Sequence, residues 1–283
     1  ALSFMLVNLG KPVILTGSQI PLSEVRNDGV SNLLGALILA GHFEIPEVCL
    51  YFDNVLFRGN RTRKFDSSGL GAFRSSNLPP LAKVGVEIQV GWHLIQAMPT
   101  RPLRLRSMNE QKVAALRLFP GISIETMERF LQPPLKGVIL ETYGAGNVPS
   151  ERQAFMDVLA AATARGVIIV NCTQCFEGGV HLDYASGAAL AEIGIVSARD
   201  MTPEAALTKL AYLLSQDDVT DDMVKGLVGK NLRGELTDAR AHERLSTKEQ
   251  SFVDAVSRVL AKGEVFRVNE EVGRVMYPVL MCS

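Results

Sequence analysis

Short apolar runs rich in β-branched residues alternate along this chain with longer runs of helical periodicity, and that alternation restricts the possible folds more than any other feature. Residues 12–16 read as a short buried strand. A loop carrying Gly17, Pro21 and Asn27-Asp28-Gly29 follows, then a helix from about residue 31 to 41, then a strand over 48–52. This order predicts an α/β protein with a mostly parallel sheet covered on both faces, its chemistry in the loops at the carboxyl ends of the strands. Ahead of the first strand, residues 3–9 are expected to form a helix that Gly10 stops.

The pattern lapses over residues 98–106, where Pro99 and Pro102 sit among Arg101, Arg104 and Arg106; with Arg117 these read as a solvated linker surface. A second, smaller α/β unit follows. Its expected elements are a helix at 122–132 broken by Pro133-Pro134, a strand at 136–140, and a helix at 150–165. Ser150 and Gln153 stand at capping-box spacing in that helix, and Gly166 closes it. A strand at 167–170, a helix at 184–193 and a helix opened by Thr202-Pro203 and running to 215 complete the unit. Beyond Leu236 the sequence becomes charged. Residues 246–262 then form an amphipathic pattern with Phe252, Val253, Val256, Val259 and Leu260 on one face.

A length of 283 residues allows one large domain or two medium ones. Lys and Arg number 29 against 30 Asp and Glu, a net charge of −1, so no strong field draws in nucleic acid or anionic lipid. The longest apolar stretch, residues 33–40, is interrupted by Gly35 and falls short of the ~20 residues a membrane span needs. The first residues lack both a basic n-region and an A-x-A site. Four cysteines make no disulfide framework and suit a reducing compartment such as the cytosol.

Several motifs carry little by themselves. Gly144-Ala-Gly146-Asn-Val-Pro149 resembles a dinucleotide fingerprint, but Pro149 stands where the third glycine belongs, and a plain tight turn is the simpler reading. Cys172-Thr-Gln-Cys175 is a C-x-x-C at the end of a strand rather than at a helix start, with no further cysteine nearby to complete a zinc site. The histidines at 42, 93, 181 and 242 are scattered, and no G-x-S-x-G elbow occurs. Residues 56–64 are different: Arg58, Arg61, Arg63 and Lys64 fall within seven positions. The stretch reads either as a solvated basic loop or as a lysine crowded by guanidinium groups, a setting that suits a proton acceptor.

Taken in order, Gly10-Lys-Pro-Val-Ile-Leu-Thr-Gly-Ser-Gln-Ile-Pro21, Asn27-Asp-Gly29 with Asn32-Leu33, Arg58-Gly-Asn-Arg-Thr-Arg-Lys64, Asn77-Leu-Pro-Pro-Leu81, Tyr143-Gly-Ala-Gly-Asn147, Asn171-Cys-Thr-Gln-Cys175 and Asn231-Leu-Arg-Gly-Glu-Leu236 resemble the cytosolic type I L-asparaginases. The resemblance runs from residue 1 to about 237. It implies a two-domain asparaginase-like fold: residues 1–100 as the remainder of the N-terminal domain, 101–133 as a linker and first helix, and 134–237 as the C-terminal domain. It further implies dimers or tetramers, and hydrolysis of L-asparagine to L-aspartate and ammonia without a cofactor.

In that family a threonine attacks the amide carbon and a second threonine relays protons with an aspartate and a lysine. Lys64 matches the lysine. Ser18, in the Gly17-Ser18 turn, matches a pocket-lining segment, and Asn147 matches a contact to a neighbouring subunit's substrate. Thr173 and Cys175 match a regulatory asparagine site, although Glu141 and Arg63 depart from the residues expected there. The Thr-Gly-Gly-Thr and His-Gly-Thr-Asp-Thr motifs that hold the threonines and the aspartate are not in this sequence. The chain is therefore expected to start just downstream of the second motif and to lack activity by itself.

Eukaryotic members, also called 60 kDa lysophospholipases, continue into ankyrin-type repeats. Residues 238–283 resemble a helical extension leading toward them, so a cut at both ends is expected. Three other readings stand beside this one: a non-catalytic asparagine-binding or scaffold isoform, a lysophospholipase activity, and a dinucleotide-dependent oxidoreductase, against which Pro149 counts.

Overall fold

A single helical turn, α1 (Leu2–Met5), opens the chain and passes straight into β1 (Leu6–Val7). The helix expected over residues 3–9 is thus cut short, and the backbone reverses at Asn8, with φ 58°, rather than at Gly10. The computed structural model describes residues 1–109, 112–181 and 185–238, and residues 1–237 make one compact unit. The helix expected at 246–262 lies outside the described residues.

The first half holds β2 (Val13–Leu15), α2 (Gly29–His42), β3 (Val48–Phe52), β4 (Val55–Arg58), a 3₁₀ turn (Gly59–Arg61), β5 (Thr62–Lys64), β6 (Phe73–Ser75), β7 (Ala82–Val84) and β8 (Ile88–Val90). Five strands form one sheet in the order β2-β3-β4-β7-β8. Only β2 and β3, joined through α2, run parallel; the other three pairings are antiparallel. This corrects the expected mostly parallel sheet. The reason is local: β3 and β4 are linked by two residues, Asp53 and Asn54, with φ 49° and 63°. Two positive φ values in a two-residue link make a hairpin turn, and so short a link cannot return a parallel strand. β5 and β6 pair only with each other, Lys64 opposite Phe73, outside the main sheet.

On its inner side α2 buries Ala36 and Leu39 against Ile45, Cys49, Tyr51, Leu56, Leu81 and Ala82. Gly35 is what lets the helix approach: a Cβ there would lie 2.2 Å from the Tyr51 hydroxyl oxygen. The outer side of α2 presents Val30, Leu33, Leu34, Leu37 and Ile38 to solvent, and Leu15 of β2 is also exposed. The expected cover on both faces is therefore not met at the β2 margin.

The second half begins where β9 (Arg104–Leu105) pairs antiparallel with β1. It continues through β10 (Val113–Arg117), α3 (Ile124–Phe130), β11 (Gly137–Thr142), α4 (Gln153–Ala164), β12 (Ile168–Thr173), α5 (Ala185–Glu192), β13 (Val196–Ser197), α6 (Pro203–Leu214) and α7 (Asp221–Val228). The order β10-β11-β12-β13 is parallel throughout, as expected for this half. β10 falls inside the stretch read as linker, so part of 101–133 is sheet. Alternation along each strand feeds two cores. Val138, Leu140 and Ile169 pack with Phe155 and Leu159 of α4, while Ile139, Ile168 and Val170 pack with Leu210 and Leu213 of α6 and with Phe4. Strands buried on both faces read as unbroken apolar runs, which is why they were legible.

Thr202 caps α6 as expected, its hydroxyl accepting from the Ala205 N–H, with Pro203 in the first turn. The Ser150 capping box does not form: α4 begins after Arg152 and has no side-chain cap. Midway along α6, Lys209 forms a fully buried ion pair with Glu235 at 2.5 Å. Lys209 also donates to the carbonyls of Val228, at 2.8 Å, and Lys230, while Glu235 accepts from the N–H groups of Leu232 and Arg233. The 231–236 loop is thereby fixed.

Gly35→Ala tests the approach of α2 to the sheet. Helix propensity alone favours alanine by about 1 kcal/mol, but forcing a methyl against the buried Tyr51 ring costs about 1–3 kcal/mol. Urea melts should show a net loss of stability; a gain would mean that Tyr51 moves aside freely.

Candidate functional site

In the basic stretch the guanidinium groups do not crowd the lysine. Arg58, at the end of β4, pairs with the Glu47 carboxylate through Nε and through Nη2, the latter at 3.0 Å, and both side chains are buried. Arg61 is 2% exposed and pairs with Asp200 at 2.8 Å. Arg63 reaches Glu204 at 3.1 Å. Each arginine is thus matched to its own carboxylate, and both sequence readings of the stretch miss this: it is neither a solvated loop nor a like-charge cluster.

Lys64, at the exposed end of β5, donates from Nζ to Gln19 Oε1 at 2.6 Å, and its Nζ stands 5.5 Å from the centre of the Phe73 ring. Gln19 directly follows Ser18, so the structure brings the lysine to the Gly17-Ser18 turn. That turn, at the carboxyl end of β2, is built by Asp28 and Asn32 at the start of α2. The Asp28 carboxylate accepts from the N–H groups of Gln19, at 3.0 Å, and Ile20, at 2.9 Å. Asn32 donates to the Gly17 carbonyl at 2.9 Å and to Asp28 at 3.1 Å, and accepts from the Asp53 N–H. Gln19 donates from its own Nε2 to the Gly69 carbonyl at 3.1 Å, which fixes the amide so that its oxygen faces Lys64. Ser18 itself is exposed.

Burial pushes the Asp28 carboxyl upward. The hydrogen bonds from Ile20 and Gln19, with that from Asn32, outweigh burial and hold it below the usual carboxylate range. Gln19, Asp28 and Asn32 were visible in the sequence only as members of motifs. The signal for their role was the placement of two short polar side chains, four residues apart, at a helix start after a strand.

The other candidate residues gather at the carboxyl end of the parallel sheet. Residues 143–147 form the tight turn expected of them: Tyr143 and Asn147 exchange backbone hydrogen bonds of 3.0 and 2.8 Å. The exposed Asn147 stands at its end. Thr173 is buried and its hydroxyl is engaged twice, donating to the Gly144 carbonyl at 2.5 Å and accepting from the Cys175 N–H at 3.0 Å. Asn171 holds the same turn through the Gly146 carbonyl. Cys175 is exposed, whereas Cys172 is buried, and burial pushes its thiol up to about 12. Glu141 pairs with Arg117 at 3.6 Å. The two groups of residues are joined through neighbours: Phe65, next to Lys64, meets Phe176, next to Cys175, edge to face at 5.2 Å. Among the described residues no group of three His, Cys, Asp or Glu side chains could hold a metal ion, and no helix is long and apolar enough to cross a membrane.

Comparison with known proteins agrees with this two-part organisation. Residues 1–96 match the family model "Asparaginase, N-terminal", and residues 112–227 match "Glutaminase/Asparaginase C-terminal domain". L-asparaginase 1 of Escherichia coli K12 is 47% identical over 245 residues, which is 84% of this chain and 70% of that protein. The 60 kDa lysophospholipase of Homo sapiens is 50% identical over 244 residues, 86% of this chain, and the chain spans 42% of its length. The crystal structure of L-asparaginase I from Vibrio cholerae superposes with a TM-score of 0.78 at 46% identity, over 84% of this chain and 71% of that one.

The Asp28 network makes a pH prediction. A carboxyl whose folded pKa lies below its unfolded value contributes stability that is present above about pH 4. That contribution is lost as the pH falls through the lower, folded value. Urea melts between pH 3 and 7 should show this loss on acidification, and Asp28→Asn should be less stable at pH 7 with a flatter profile. An unchanged slope in Asp28→Asn would contradict the assignment.

Proposed function

Because the chain belongs to the asparaginase family, we propose that it works in the hydrolysis of L-asparagine to L-aspartate and ammonia, with Lys64 as the side chain that carries protons. The observation that carries this reading is the 2.6 Å hydrogen bond from Lys64 Nζ to Gln19 Oε1, which sets the ammonium beside the Gly17-Ser18 turn. An ammonium has three donors. Gln19 takes one and orients the rest.

In the proposed cycle a threonine hydroxyl, supplied from outside residues 1–283, attacks the amide carbon of the substrate. Its proton passes through a second threonine, an aspartate and Lys64 to the departing amide nitrogen, which leaves as ammonia. Water then cleaves the acyl-enzyme and regenerates the hydroxyl. Backbone N–H groups hold the tetrahedral oxyanion. Ser18 lines the pocket from a turn that Asp28 and Asn32 keep rigid, and a pre-fixed wall of this kind saves ordering entropy when substrate binds.

Asn147 contacts substrate in a neighbouring copy, so the active form is a homodimer or homotetramer, working in the cytoplasm. Thr173 and Cys175 belong to a second, regulatory asparagine site in which Thr173 acts through the turn it holds. The whole protein continues into ankyrin-type repeats. The 50% identity to a protein named a lysophospholipase favours one further reading, hydrolysis of lysophospholipid by the same protein.

The test begins with the transcript upstream of the Ala1 codon and proceeds to ammonia release from the full product. The 283-residue chain should release none. In the full product Lys64→Met should lower kcat roughly 10²–10⁴-fold, the usual contribution of a positioned proton-transfer group, with an unchanged melting temperature. Wild-type turnover in that variant would remove Lys64 from the mechanism. A product that begins near Ala1 and binds asparagine without hydrolysing it would favour the scaffold reading.

A further inference from the structure

Lys64 sits on a ribbon that belongs to neither large sheet. β5 pairs only with β6, and a two-stranded ribbon is marginal in water unless something else anchors it. Phe73 of β6 packs on Phe52 of β3 at 5.0 Å and Arg63 pairs with Glu204, and the most deeply buried polar anchor stands three residues before the lysine. Arg61, in the turn that leads into β5, sends its whole guanidinium fork into the second half of the chain: Nε donates to the Gly234 carbonyl at 2.8 Å, Nη1 to Asp200 Oδ2 at 2.8 Å, and Nη2 to Thr237 Oγ1 at 3.1 Å. Its acceptors are themselves fixed. Asp200 accepts from the Thr237 N–H at 2.8 Å and from the Thr237 hydroxyl at 2.5 Å, and the loop carrying Gly234 is held by the buried Lys209–Glu235 pair. Asn60, beside Arg61, adds a bond of 2.8 Å to the Arg233 carbonyl.

We infer that Arg61 is a positioning residue for Lys64: its three-way contact with Asp200, Gly234 and Thr237 sets where β5 leaves the fold and so where the ammonium meets Gln19. The inference rests on the reading of Lys64 given above. A guanidinium is suited to the task because its donors lie in one rigid plane and fix direction as well as distance, whereas an ammonium at the same place fixes neither. Arg61→Lys therefore keeps the charge that Asp200 needs and removes the geometry.

The experiment is a double-mutant cycle in the full-length protein. Arg61→Lys should lower kcat about 10²-fold, the scale of a misplacement of about 1 Å, with little change in KM. In a Lys64→Met background the same substitution should cost nothing further. Equal losses in both backgrounds would show a merely structural role and overturn the inference, as would wild-type kcat in Arg61→Lys alone. Wild-type turnover in Lys64→Met alone identifies a different failure, that of the lysine reading itself.

If Arg61→Lys does not fold, Thr237→Val removes the Nη2 acceptor and the hydroxyl bond to Asp200, keeps the Arg61–Asp200 ion pair and the backbone bond from residue 237 to Asp200, and should give the same pattern with a smaller step, about tenfold. A second readout does not depend on turnover. Reductive ¹³C-methylation followed by NMR gives a dimethyl-lysine signal that Lys64→Met identifies by its loss. That signal should shift in Arg61→Lys or Thr237→Val; an unmoved signal in both would overturn the inference.

Discussion

Two guanidinium groups, those of Arg58 and Arg61, converge on one carbonyl oxygen, that of Gly234. Much of the molecule is arranged so that this convergence is possible. A buried guanidinium is tolerated only when paired and hydrogen-bonded, and stranding one costs about 3–5 kcal/mol. Arg58 is satisfied by Glu47, the Leu94 carbonyl and Gly234; Arg61 by Asp200, Thr237 and Gly234. Glu47 also accepts from the Gln96 N–H, which ties in the stretch after β8. The apolar cluster around α2 is separate from the two clusters around the parallel sheet. Among the described residues, charged and polar groups, rather than a shared core, thus carry most of the connection between the halves, with Phe4 and the Phe65–Phe176 ring contact as apolar exceptions.

The sequence was most legible where burial is simplest. β11 and β12 are covered on both faces, so their apolar runs need no phase information, and Thr202-Pro203 announces its helix through a chemistry that depends only on neighbours. The first half was misread because its pairing is decided by two residues. The strand–helix–strand rhythm holds for β2, α2 and β3, whereas β4 follows β3 across Asp53-Asn54 with no helix between, and it is short and runs into the basic stretch from Arg58. β10 was missed for another reason: Val-Ala-Ala-Leu-Arg has little β-branched character, and it becomes a strand because β11 offers it an edge. Ser150 failed as a cap because Pro149 and Arg152 form a turn of their own first, the Arg152 N–H donating to the Pro149 carbonyl.

The candidate site divides in the same way. Lys64 and Ser18 were found through resemblance, and the link between them, Gln19, lay next to one of the two. The density of basic residues around Lys64 was plain in the sequence, whereas its meaning was not. The carboxylates that neutralise Arg58, Arg61 and Arg63 are Glu47, Asp200 and Glu204, two of which come from more than a hundred positions away. Local spacing carries no information about such partners. The C-x-x-C, which the sequence presents as no zinc site, consists of a packing residue inside β12 with a deeply buried thiol and an exposed residue beyond the end of that strand.

The grip of one half on the other has an asymmetry with consequences for sequence drift. On the first half the contacts are made by particular side chains, among them those of Arg58, Asn60, Arg61, Arg63 and Asn77. On the second half several of the acceptors are backbone oxygens, at Asp200, Arg233 and Gly234, and a backbone oxygen is supplied by any residue. The side chain at position 233 can therefore change over generations without loosening its bond to Asn60. Gly234 is the exception, because a Cβ there would fall 2.7 Å from the Arg58 guanidinium. Selection for the joint should weigh on those side chains of the first half and, in the 231–236 loop, on a residue chosen for having none.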